Sequence, residues 1–177
     1  MIKPPAFAFS MFSPRLQVNF WRRLYDKYGL TSSLPDGLEE EVRQLSGPSN
    51  EWLIAEPVGL HLGIVWRICA DTFPCWDPER NLLAEISEIE RRDVSELQFE
   101  LYPQGTEHSD AMTLRRRLLL AIIQFELSGR KLWVPTEWLA CRGSRMVNGD
   151  VPGIRLFQGK LCAEWVYRRV PQLTASS

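Results

Sequence analysis

The stretch LLLAIIQFEL, residues 118–127, most constrains what this chain can fold into. At about 100° per residue, Leu118, Leu119, Leu120, Ile122, Ile123, Phe125 and Leu127 cover nearly the whole circumference of a helix. A helix that is apolar all round must be buried, so the rest of the chain has to pack around it. The three residues before it, Arg115, Arg116 and Arg117, point in three different directions around the same axis. They cannot form one flat cationic patch. They mark the end where a buried helix emerges, free to meet acids of the chain or water. Ser109-Asp110 is the expected cap of this helix and Gly129 its stop.

Around it the pattern reads as helices interleaved with strands. Ser13-Pro14 opens a helix faced by Leu16, Phe20 and Leu24 and ended by Gly29. A shorter helix fits residues 36–45, with Glu39, Glu40 and Glu41 near its positive end. In PVGLHLGIVWRICA, Val58, Leu60, Leu62, Ile64, Trp66, Ile68 and Ala70 alternate without a break, which predicts a long strand. Asp77-Pro78 is expected to start a helix with Leu82, Leu83, Ile86 and Ile89 inward. Leu97, Phe99 and Leu101 alternate as a strand, a short strand is expected over 131–134, and Pro135-Thr136-Glu137 opens one further helical turn. CRGSRMVNGDVPG reads as a loop, and residues 154–170 as a β-hairpin turning at Gln158-Gly159. These elements predict an α+β fold: a single domain with a mixed or antiparallel sheet and a C-terminal β-hairpin, packed on several helices including the central buried one. The expected organisation is an N-terminal arm over 1–12, one globular domain over 13–171 and a frayed tail over 172–177.

The net charge of -1 conceals a segregation. Residues 1–29 carry +4, residues 30–110 carry -12 and residues 111–177 carry +7. Such a chain either neutralises its acidic middle against its basic ends or presents faces of opposite sign to partners. The apolar run is far short of a membrane span, and the first residues show no cleavage site for a signal peptide. Cysteines at 69, 75, 141 and 162 include no C-x-x-C pair, so four free thiols in a reducing cytoplasm are expected.

Chemistry is harder to find. No phosphate-binding glycine loop, nucleophile elbow or metalloprotease motif occurs. Cys75 paired with His61 or His108 would be the minimal nucleophile–base set, but nothing in the local sequence favours it. Cysteine spacings of 69/75 and 141/162 match no zinc knuckle. Glu56, Asp71 and Asp77 flank the expected long strand, yet any pair chosen from 22 acids is arbitrary. No cofactor, metal or catalytic residue is therefore assigned.

What remains is recognition. The expected function is a non-catalytic cytoplasmic binding protein, an accessory or regulatory subunit acting through protein contacts. Seven tryptophans and the apolar arm AFAFSMF, with Phe7, Phe9 and Phe12, motivate it. The alternative is a nucleic-acid surface on the C-terminal loop and hairpin. It would use Arg142, Arg145, Arg155, Lys160, Arg168 and Arg169, interleaved with Phe157, Trp165 and Tyr167. A winged-helix reading fails because Gly149, Pro152 and Gly153 stand where a recognition helix should follow.

Overall fold

The computed structural model describes residues 11–30, 34–47, 50–105 and 109–166. Helices and antiparallel strands are both present, as the α+β expectation requires. The described residues fall into two compact units that interleave along the chain. One draws on the segments 1–60, 93–107 and 123–131, the other on 61–92, 108–122 and 132–177. No helix among the described residues is long and apolar enough to cross a membrane.

In the first unit, α1 (Pro14–Lys27) starts where the Ser13 side chain accepts from Leu16 N–H, with Pro14 in the first turn. It stops at Gly29, whose φ of 79° lets Leu30 N–H turn back to Tyr25 O at 2.8 Å. Helix α2 (Leu38–Leu45) buries Leu38 and Val42 and keeps its three first-turn glutamates at the positive end. Strands β1 (Glu51–Glu56) and β2 (Gln98–Pro103) pair antiparallel, with Leu53 opposite Leu101. Three α1 side chains one turn apart grip β1. The Gln17 amide donates to Glu51 O and accepts from Leu53 N–H, Trp21 donates to Leu53 O, and Tyr25 donates to Ala55 O.

In the second unit, the predicted strand over 58–70 is instead helix α3 (Leu62–Thr72). Leu62, Val65, Trp66 and Cys69 lie on one buried stripe at i, i+3, i+4 and i+7, while Arg67 and Asp71 are exposed one turn apart. The apolar residues satisfy both periods. Length decides, because 14 residues exceed what strands usually run to. His61 is the N-cap: its Nδ1 accepts from Ile64 N–H at 3.3 Å.

The helix expected from Asp77 is reduced to two single turns, α4 (Leu82–Glu85) and α5 (Glu88–Arg91). Asp77 has φ 54° and cannot cap; Asn81 does so, accepting from Ala84 N–H. Between the turns the chain is extended because Ile86 bridges Met146 and Ser87 N–H reaches Arg145 O. Tertiary pairing has overridden a continuous helix.

Helix α6 (Leu114–Leu127) is the buried helix, and residues 117–125 are all inaccessible. Its cap is Thr113, which accepts from Arg116 N–H, rather than Ser109-Asp110. Arg117 is 3% exposed and donates to Ser109 O, so one member of the triplet is a buried tie, while Arg115 and Arg116 are half-buried. Residues 131–134 form no strand and 135–137 no helical turn; the short strand is β3 (Leu139–Ala140), paired with β4 (Val151–Phe157). Pro135 has no N–H to give a ladder, and the single bond its carbonyl accepts from Leu156 N–H at 2.7 Å is too little to make a strand of 131–134. The predicted hairpin is present as β4 and β5 (Lys160–Val166), giving the sheet order β3-β4-β5. Its turn has Gln158 at φ 52° and Gly159 at φ 77°, the type I′ geometry that matches strand twist.

Candidate binding surface on the C-terminal hairpin

Alternation along the hairpin sorts its side chains. Ile154, Leu161 and Ala163 are buried, and so define the inner face. Arg155 and Phe157 lie on the other face of β4, opposite Cys162 and Lys160 of β5. Two tryptophans from elsewhere in this unit join that outer face. Trp76 arrives on the segment 74–76, strapped along β5 by Trp76 N–H to Leu161 O and Leu161 N–H to Pro74 O. Its indole donates to Phe157 O at 2.9 Å, and the two rings lie 6.1 Å apart. Trp138 comes from the residues just before β3.

The cations fill the spaces between these rings. The Arg155 guanidinium stands 4.6 Å from the Trp138 centroid and 4.7 Å from that of Phe157. Lys160 Nζ stands 4.6 Å over Trp76. Such contacts hold a cation by the ring quadrupole and order both partners. Trp76, Trp138 and Phe157 nevertheless remain 37, 39 and 41% exposed, well above the exposure of the core aromatics. Among the described residues, neither Arg155 nor Lys160 has a carboxylate partner, and Arg155 Nε is buried without a hydrogen bond. The Cys162 thiol behind them is pushed up, chiefly by burial and then by Glu164, against the opposing pull of Arg155 and Arg80.

The six basic residues singled out in the sequence separate. Arg155 and Lys160 share the aromatic face. Arg142 is committed to Asp110 at 2.7 Å, and Arg145 Nη1 donates to the carbonyls of Arg142 and Ser144. Arg168, Arg169 and Tyr167 lie outside the described residues, as do Phe7 and Phe9. Phe12 is half-buried, its ring 4.6 Å from that of Trp52. Sequence reasoning missed Trp76 and Trp138, because their only local signal is a tryptophan in a proline-containing, turn-like segment.

Burial pushes the Cys75 thiol up to about 12, and its Sγ donates to Phe73 O, so at neutral pH it is a protonated thiol rather than a nucleophile. The His61 ring is engaged in capping, and His108 lies outside the described residues. Glu56 is fully buried, whereas Asp71 and Asp77 are exposed; the strand they were expected to flank is a helix. No group of three His, Cys, Asp or Glu side chains placed to hold a metal ion occurs among the described residues. Comparison with known protein families, with curated proteins and with solved structures finds no match to this chain.

Proposed function

We propose that this chain is a non-catalytic binding protein, an accessory or regulatory subunit of a cytoplasmic assembly, that recognises another protein through the outer face of the β4–β5 hairpin. One observation carries the reading. Three large aromatic side chains, each more than a third exposed, are gathered around two cations on a hydrogen-bonded sheet. Trp and Arg are the residues enriched at the energetic centres of protein interfaces. Rings already ordered by cation–π contacts lose little conformational freedom on binding.

Native mass spectrometry of the protein, purified gently from its own host at low salt, tests this. Added protein mass is expected on the natural chain and is expected to vanish for Trp138→Ala/Phe157→Ala. A partner that stays on the double variant, or a bare natural chain, overturns the reading. Residues 1–12 are a proposed second contact. Deleting residues 1–10, which keeps Phe12 on the Trp52 ring, should weaken association without moving the thermal melt.

Nucleic-acid binding is the second reading, favoured by Arg155 and Lys160 beside aromatic rings. It is weaker because Arg142 is paired with Asp110 and because the exposed acids Asp77 and Glu137 adjoin Trp76 and Trp138 in the chain. Oligonucleotide mass in the same spectrum would select it.

A further inference from the structure

We infer that the occupant of the hairpin face is an acidic peptide segment of the partner, its carboxylates set against Arg155 and Lys160 and its apolar side chains laid on Trp138, Phe157 and Trp76. This rests on the protein-binding reading above and adds the chemistry of the ligand.

Charge complementarity carries the inference. Two arginines of this unit meet acids: Arg80 meets Glu85 at 2.6 Å and Glu164 at 3.7 Å, and Arg142 meets Asp110 at 2.7 Å. Arg155 and Lys160 meet rings instead. A guanidinium over a ring still directs N–H groups away in its own plane, and these match a carboxylate. A carboxylate delivered there meets a cation partly desolvated by Trp138 and Phe157, where pairing is stronger than at an open surface.

The same face disfavours a polyanion. Exposed Asp77 and Glu137 adjoin Trp76 and Trp138 in the chain and would oppose a continuous phosphate backbone. A short segment with one or two acids beside apolar residues offers these carboxylates far less charge to repel than a phosphate backbone does. The acidic residue supplies register and steering, and the aromatic contacts supply most of the burial.

Selection of random octapeptides on the whole protein, followed by affinity measurement from tryptophan fluorescence, tests this. The expected winners carry Asp or Glu next to an apolar residue and lose on the order of tenfold in affinity with Arg155→Gln/Lys160→Gln. Lys160→Glu alone, at the exposed hairpin tip, should weaken them in the same direction and keeps the test valid if the double variant misfolds. Winners without acids, or winners indifferent to both charge variants, overturn the inference. If those winners still require Trp138, the protein-binding face stands and only its acid preference fails. If they bind Trp138→Ala equally well, both readings fail. Oligo(dT) binding more tightly than any selected peptide also overturns the inference in favour of nucleic acid.

Discussion

Tyr25 donates its hydroxyl to the backbone carbonyl of Ala55 at 2.5 Å, two residues along β1 from the Leu53 carbonyl that receives the Trp21 indole. Gln17, a further turn back, completes the series at Glu51 and Leu53. The match is geometric. Four helical residues advance about 6.0 Å and two strand residues about 6.6 Å, so side chains at i, i+4 and i+8 can serve alternate residues of a parallel-running edge. An exposed strand edge invites pairing with other chains, and here α1 supplies the hydrogen bonds such a chain would offer. The outer edge of β5 is covered by related means. Residues 74–76 bond Leu161, and Arg80 donates to Ala163 O.

Removing one rung of the α1–β1 clamp should leave a buried carbonyl unmet. Tyr25→Phe is expected to destabilise the protein by about 1–3 kcal/mol. Gln17→Leu should cost at least as much, since it strands both a carbonyl and an N–H. Urea unfolding followed by tryptophan fluorescence checks both. Unchanged midpoints would show that water reaches that edge.

Arg80 joins Glu85 and Glu164 to the Ala163 carbonyl while only 12% of its side chain is exposed. Burial pulls its pKa down, and the hydrogen bond and charge of Glu85 outweigh that, so the net direction is up. Arg80→Ala should destabilise the protein by about 2–4 kcal/mol, because it leaves Glu85 uncompensated in a partly buried site. Arg80→Ala/Glu85→Ala should recover part of that loss. A double-mutant cycle by chemical unfolding measures the coupling.

Gly143 is held by close approach rather than by an unusual φ. A Cβ there would sit 2.8 Å from Thr113 N, 2.9 Å from Met112 C and 3.0 Å from Ala111 O, all backbone atoms that cannot rotate away. Gly143→Ala should therefore cost about 1–3 kcal/mol. Gly47→Ala, whose new Cβ would meet only the far end of the Glu51 side chain at 3.5 Å, should change stability by less than about 1 kcal/mol. Comparison of the two melting temperatures separates steric conflict from loss of glycine itself.

The buried thiols make stability fall at alkaline pH. Burial pushes Cys75 and Cys141 up to about 12 from an ordinary value of 9.0, and raises Cys69 as well. Below pH 9.0 neither state ionises and the stabilisation is fully present. As pH rises from 9.0 towards 12 the unfolded thiols lose protons that the folded ones keep. Each such group then removes up to about 1.4 kcal/mol per pH unit. Unfolding free energy measured across this window should decline less steeply in Cys75→Ala and in Cys141→Ala than in the natural chain. Equal slopes would mean that both thiols ionise in the folded protein.

Much of the fold is legible in the residues themselves. Helix α1 is written by Ser13-Pro14 at one end and Gly29 at the other, and the β4–β5 hairpin by its alternation and Gln158-Gly159 turn. These are local signals, carried by backbone preferences that hold wherever the segment sits. The stretch 58–70 misled because its apolar residues fit a period of two as well as one of 3.6, and only length distinguished them. The helix expected from Asp77 fails for a different reason. Its interruption at Ile86 comes from Met146, 60 positions away, and nothing within the segment announces it.

The candidate surface divides along the same line. Arg155, Phe157 and Lys160 could be placed on one face from the hairpin pattern alone, since alternation and a two-residue turn dictate which side chains share a side. Trp76 and Trp138 could not. They reach that face only because residues 74–76 bond Leu161 and because β3 pairs with β4. The buried helix, both ends of α1 and the two-sided hairpin can be read from the residues alone, because periodicity and turn chemistry act between near neighbours. The tertiary structure alone decided which arginines are paired and which cations are left against exposed rings, because those partnerships join residues that only long-range backbone pairing brings together.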